Sequence, residues 1–204
     1  MTTKALSGGD KLTSILEQLS KNVEKGAQVR MGFLEGSTDS VTGTPEASIA
    51  VFQEFGTVNT KSKTVIPPRP FFRPLIAEQS NAWGKELGDT LKGVNYDAAR
   101  ALALMGELMG GQLQEAIINV SEPALSPITL MLRQMRREDQ TLGSPSNPIG
   151  GKTIAEAARR VAAGESVDAS TKPLIDKGDM IRAVGYQVDS GEKHLVNENI
   201  QGTR

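Results

Sequence analysis

Asp176 and Asp179 sit close together late in the chain, at a spacing where one carboxyl could give a proton while the other takes one. The stretch Asp176-Lys177-Gly178-Asp179 is equally the composition of a turn leading into a capped helix, so the pair is read as cap chemistry. Gly150-Gly151-Lys152-Thr153 contains the Gly-Lys-Thr triplet with which a phosphate loop opens its helix. The earlier glycine of that pattern is missing around Asn147, and no apolar strand leads into it. What remains is a loop and a short helix with Thr153-Ile154-Ala155-Glu156 as its capping box. His194 is the single histidine and there is no cysteine. That excludes disulfides, thiolate nucleophiles, multi-histidine metal sites and the usual base for a serine nucleophile. No catalytic residue, metal or cofactor is expected.

The stronger signal concerns docking. Glu54-Phe55-Gly56-Thr57 is followed, after a polar basic stretch, by Pro67-Pro68-Arg69-Pro70-Phe71-Phe72-Arg73-Pro74. Prolines at this density fix φ and remove backbone donors, which predicts a stiff extended arm rather than helix interior or central strand. The arm sets two aromatic rings between two guanidinium groups, the side-chain types enriched where proteins dock. Phe71 and Phe72 have a plainer use as plugs in the local core. Lys61 and Lys63 join Arg69 and Arg73 in a basic cluster that suits either nucleic-acid phosphate or an acidic partner surface. Arg133, Arg136 and Arg137 form a second basic group, read as a solvated helix end whose charges complement the dipole.

These residues need elements to hold them. Asp10 to Lys25 carries Leu12, Ile15, Leu16, Leu19 and Val23 on one helical stripe, and Gln28 to Leu34 alternates as a half-buried strand with Val29, Met31 and Phe33 on one face. Glu35 to Thr44 is a polar loop. Pro45 to Phe55 follows as a helix, with Thr44 as N-cap and Gly56, a residue free to adopt positive φ, as its stop. Val58 to Val65 reads as a polar, basic loop. Helical periodicity resumes after Pro74 through Leu75, Ile76, Trp83 and Leu87, and again from about Asp97 to Val120. Gly106, Gly110 and Gly111 interrupt that second helix and suggest close approach of another backbone. Ser126-Pro127 caps and opens a helix through Met135. Val184 to Val188 alternates as a strand, and His194-Leu195-Val196 is a short third one.

The fold class is therefore α+β: a small antiparallel sheet flanked by several helices, with long loops and an inserted arm. Residues 1–138 plus 173–204 make the core domain, and 139–172, rich in turn-formers, the inserted arm carrying one short helix. Aromatics are only 4% of the chain and there are 21 glycines, which suits a subunit that completes its burial against neighbours better than an enzyme with a deep pocket. With 23 basic and 24 acidic residues, no global basicity advertises nucleic-acid binding. The first residues lack the apolar core of a signal peptide and no run is long enough to span a bilayer, so a soluble protein is expected.

The order of the islands resembles the tail-completion, or head–tail joining, proteins of long-tailed bacteriophages, a group that includes minor tail and virion-morphogenesis proteins. The matching pieces are Ala50 to Thr57, Ile66 to Pro74, Leu125-Ser126-Pro127-Ile128-Thr129 with a basic residue at Arg133, and Lys172-Pro173-Leu174-Ile175-Asp176-Lys177-Gly178-Asp179-Met180. Lys177 stands where the family often has threonine, and the segment between Arg137 and Lys172 is longer than the usual joint. The resemblance spans roughly 10–188. It implies a structural subunit of the virion neck, made in the host cytoplasm, that assembles as a homo-oligomeric connector ring between the DNA-filled head and the tail. A hexamer is the leading expectation and a dodecamer the alternative. Partners would be other neck, connector and tail-tube proteins, with a passing contact to genomic DNA through Lys61 and Lys63, and no membrane. The subunit and partner interface would draw on Glu54, Phe55, Gly56, Thr57, Pro67, Pro68, Arg69, Phe71, Phe72 and Arg73.

Three other readings compete. A tail terminator or collar component would occupy another level of the same neck. A small hydrolase using Asp176, Asp179 or Glu54 lacks a convergent set of catalytic groups. A free DNA-binding regulator lacks both net positive charge and a reading helix.

Overall fold

A computed structural model describes residues 26–59, 64–190 and 193–197, together with residues 13, 14, 16, 17, 20 and 21, which are helical. Along the chain run β1 (Gln28–Phe33), α1 (Glu46–Phe55), β2 (Thr57–Asn59), β3 (Thr64–Ile66), α2 (Phe72–Gly93), α3 (Ala98–Asn119), α4 (Pro127–Glu138), α5 (Gly151–Ala162), α6 (Asp179–Arg182), β4 (Val184–Ser190) and β5 (Lys193–Asn197). This is an α+β fold. Of the expected N-terminal helix, the stripe residues Leu12, Ile15, Leu19 and Val23 lie outside the described residues.

The three alternating segments form one antiparallel sheet of order β1-β4-β5, with β4 in the middle. Register runs from Gln28 opposite Asp189 to Phe33 opposite Val184, and from Tyr186 opposite Asn197 to Ser190 opposite Lys193. Val184, Tyr186 and Val188 share the buried face of β4 because side chains alternate along a strand. That face packs on α3, which also covers β1. Gly106 of α3 is required there: a Cβ in its place would overlap the Tyr186 ring. The close approach expected at the glycines of this helix is thus made at Gly106 by a ring, not by a backbone.

The helices at the centre of the chain follow their signals. Asp97 caps α3 by accepting from the Arg100 N–H, and Ser126 caps α4 by accepting from the Thr129 N–H with Pro127 in the first turn. Helix α2 is tied to α3 where Trp83 Nε1 donates to Gln112 Oε1 at 2.7 Å. The main core collects Ala50, Phe71, Leu113, Ile117, Leu174 and Val184 from five separate stretches of chain.

Three local expectations are corrected. The stretch from Val58 to Val65 is not a simple loop, because β2 and β3 pair antiparallel with Val58 opposite Val65. β-Branched residues at Thr57, Val58, Thr64, Val65 and Ile66 favour the pleated conformation, but each strand is too short to show alternation. Helix α1 begins at Glu46 with Pro45 in the cap position, and Thr44 makes no cap bond. Helix α5 begins at Gly151 without a side-chain cap, and Glu156 bonds Arg159 and Arg160 instead of reaching back.

The 139–172 segment lies against α4. Ala157 of α5 is fully buried, Leu142 is buried, and Arg160 Nη1 bonds Glu138 Oε2 at 2.8 Å. The apolar face of α5 is therefore covered within the same chain, with Ile154 left outside.

Candidate functional site

Glu54 lies in the last turn of α1 and its carboxylate is buried. Its Oε2 accepts from the Phe71 N–H at 2.8 Å and the Phe72 N–H at 3.0 Å, while Oε1 accepts from the Arg73 N–H at 3.2 Å and from Arg73 Nε at 2.8 Å. Phe71 is the cap position of α2, and Phe72, Arg73 and Pro74 are its first three helical residues. A helix start leaves its first N–H groups without intrahelical partners. Here Glu54 takes the available ones and Pro74 has none to offer. Burial alone would push the Glu54 carboxyl up, but the bonds from Arg73, Phe72 and Phe71 outweigh it and hold the group below its ordinary value.

This corrects the reach of the extended arm. Pro67 to Pro70 is non-helical, but Phe72, Arg73 and Pro74 are the first turn of α2. Proline is accommodated in a first turn because the donor it removes would be unpaired there anyway. Gly56, at φ 72°, makes the turn between α1 and β2, where a Cβ would come within 2.8 Å of the Ile66 carbonyl oxygen. Thr57 then opens the hairpin opposite Ile66.

The side chains of the two islands divide between interior and surface. Phe71 is 3% exposed and meets Phe33 and Phe72 edge-on at 6.3 and 6.4 Å. Arg69 is buried, donates through Nε to the Pro123 carbonyl at 2.9 Å, and its N–H reaches the Gln53 carbonyl at 2.6 Å. Burial pushes its guanidinium below its ordinary value. Phe71 and Arg69 thus serve the chain's own core. Phe72 and Pro67 are half-buried, whereas Pro68 and Arg73 are exposed. Phe55 faces outward under the Arg73 guanidinium, 4.7 Å from its ring centroid. Val51, Phe52 and Phe55 on α1 and the Val58–Val65 pair on the hairpin are between 46% and 65% exposed, an apolar ridge along successive elements. Lys61 and Lys63 lie outside the described residues.

The other two islands are joined by Arg133. Its Nη1 donates to the carbonyls of Ser170 at 2.7 Å, Lys172 at 2.8 Å and Ile175 at 3.0 Å, and Nη2 to that of Pro173 at 2.9 Å. Arg136 bonds Asp176 at 2.7 Å and Arg137 bonds the Asp168 carbonyl. The solvated-face reading therefore fails at Arg133, which is buried and grips the chain ahead of Asp176. Asp176 and Asp179 do not form an acid pair: Asp176 faces the α4 arginines, while Asp179 accepts from the N–H and hydroxyl of Ser40 at 3.1 and 2.7 Å and from Arg182. His194 falls in β5, and its side chain lies outside the described residues.

Asp179 also belongs to a group not anticipated from the sequence. One carboxylate oxygen each from Asp39, Glu46 and Asp179 lies within 4.8 Å of the others, at a cavity that Arg133, Arg136 and Asp176 also line. Glu46 is buried and its Oε1 has no hydrogen-bond partner. Burial, then the charges of Asp39 and Asp179, push its carboxyl up to about 7 against the smaller pull of Arg182. Asp39 and Glu46 bound one Ser/Thr-rich loop, but Asp179 lies far away in sequence, so no spacing could reveal the three together. Among the described residues no helix is long and apolar enough to cross a membrane. No known family, curated protein or solved structure matches the chain.

Proposed function

We propose that the chain is a non-enzymatic virion subunit of a bacteriophage neck, joining the DNA-filled head to the tail as one copy of a homo-oligomeric ring. The observation that carries this reading is the outward-facing ridge of Val51, Phe52, Phe55, Val58 and Val65, built on the island whose Glu54 and Gly56 organise the proline-rich one. Ring contacts are heterologous, one patch docking on a different patch of the next copy, and a rigid apolar ridge suits that geometry. Internal bonding of Glu54 and Arg69 supports the reading indirectly, because a pre-ordered ridge loses less entropy when it docks. Hexamer is the expected ring, with connector and tail-tube proteins as partners.

The test uses a phage that encodes this chain, with Phe55→Ser and Val65→Ser introduced together. Both side chains are exposed, so the purified variant is expected to melt close to the parent. Micrographs of the mutant lysate are expected to show filled heads separated from tails. Intact particles, or purified virions without this chain, would overturn the proposal.

A further inference from the structure

We propose that Asp39, Glu46 and Asp179 form a binding site for a hard divalent cation of the calcium class, linking the loop before α1 to α6. The absence of histidine and cysteine clusters noted above excludes soft-metal sites and leaves an all-oxygen site untouched.

The geometry comes first. Calcium–oxygen distances of about 2.3–2.6 Å place ligands on opposite sides of one ion roughly 5 Å apart. The three carboxylate oxygens lie within 4.8 Å of one another, so one ion can meet all three. The loop is already set: Asp39 Oδ1 accepts from the N–H groups of Val41 at 3.1 Å and Thr42 at 2.7 Å, and the Asp39 N–H reaches the Thr44 carbonyl at 2.8 Å. Asp179 is oriented by Ser40. Glu46 differs from both. It is 2% exposed, its Oε1 is buried, and no donor reaches that atom. A buried carboxylate oxygen left unpaired costs free energy that a bound cation would recover.

Charge points the same way. Arg182, bonded to Asp179, is the cation facing the acids, and its side chain is mostly in solvent. Arg136 is engaged by Asp176, Arg133 is occupied by four carbonyls, and Lys177 is exposed at the cavity edge. The start of α1 contributes roughly half an elementary charge, too little to balance three carboxylates. The ligands are hard oxygens on a loop that can adjust, which suits calcium better than magnesium, with its strict octahedral demand.

The experiment takes the full chain, freed of metal by chelation and dialysis, and titrates Ca²⁺, Mg²⁺ and Zn²⁺ by calorimetry at neutral pH. One equivalent of Ca²⁺ is expected to bind, with Mg²⁺ and Zn²⁺ weaker. At about 100 times its Kd, Ca²⁺ should raise Tm by roughly 5–10 °C. Glu46→Gln keeps the shape and removes the charge, so it should fold and bind at least tenfold more weakly; Asp39→Asn should weaken binding as well. Absence of Ca²⁺ binding at millimolar concentration, undiminished binding by Glu46→Gln, or a preference for Zn²⁺ would overturn the proposal. None of these outcomes depends on a virion role.

Discussion

Replacing Glu54 by glutamine isolates the capping of α2 from everything else α1 does. The substitution keeps the shape but removes the charge and turns one acceptor into an NH₂ donor. Either orientation of the amide sets that NH₂ against a donor pair: the Phe71 and Phe72 N–H groups on one side, or Arg73 N–H and Nε on the other. The second arrangement is cheaper, because Arg73 is 58% exposed and can swing into water. The bonds to Phe71 and Phe72 then survive as neutral ones, and each falls from about 1.5–3 kcal/mol to about 0.5–1.5 kcal/mol. The Arg73 N–H loses its acceptor as well, so the total comes to about 3 kcal/mol. In a chain of this size that lowers Tm by roughly 6–12 °C. Urea unfolding followed by circular dichroism at pH 7 measures it directly, with Arg73→Ala as the control. Arg73→Ala removes only the half-exposed guanidinium and leaves the backbone N–H groups of residues 71–73 bonded to Glu54, so the control should cost far less. The pH dependence adds a second check. The folded-state pKa of Glu54 is lowered, so its contribution is fully present above about 4.5 and is lost as pH falls through the depressed value. The gap between parent and Glu54→Gln should stay flat from pH 5 to 8 and close below that. A glutamine variant within about 0.5 kcal/mol of the parent, or an Arg73→Ala variant equally damaged, would refute the capping argument.

Three further outcomes are expected. Arg133→Lys offers one ammonium where a planar fork meets four carbonyls, so it should lose about 2–4 kcal/mol and speed hydrogen exchange around residues 170–175, read by mass spectrometry. In metal-free buffer the parent should lose stability as pH rises from 4.5 through about 7, because the raised folded-state pKa of Glu46 makes its stabilising contribution an acid-side one. Glu46→Gln should remove that slope and be the more stable protein at pH 8, by up to roughly 3 kcal/mol in urea melts. Finally, on the proposed role the isolated chain should sediment as a monomer or weak oligomer; a tight, concentration-independent hexamer in the ultracentrifuge would contradict that.

Periodicity made most of the framework legible. β1, β4, β5, α3 and α4 lie where alternation, helical stripes and caps placed them, because each carries its own local pattern over several residues. The β2–β3 hairpin was invisible because its three-residue strands are too short to show alternation, and Val58 and Val65 point outward. The start of α2 was misplaced for a different reason. Its cap is supplied by Glu54 from another helix, so local composition around Phe71 said only that prolines were present. The same holds for Arg133: a basic residue near a helix end is ordinarily solvated, and nothing nearby announced that residues 170–175 would converge on it. The islands were recognisable by residue type, but which of their side chains turn inward depends on hydrogen bonds between distant positions, and these leave no periodic trace.

The pairing of β1 with β4 has a consequence for how the chain is made. Gln28 and its partner Asp189 stand at opposite ends of the described sequence. At 5–20 residues per second a ribosome needs roughly 10–30 s to travel between them. During that interval α2 and α3 can form from local contacts, but Leu113 and Ile117, fully buried in the finished fold, have no sheet to lie against. A product that stops short of β4 keeps that face bare and is a substrate for proteases. Closing the sheet with a strand so distant from β1 thus makes the central strand the step on which the whole sheet waits, and any break in synthesis before it leaves α3 uncovered.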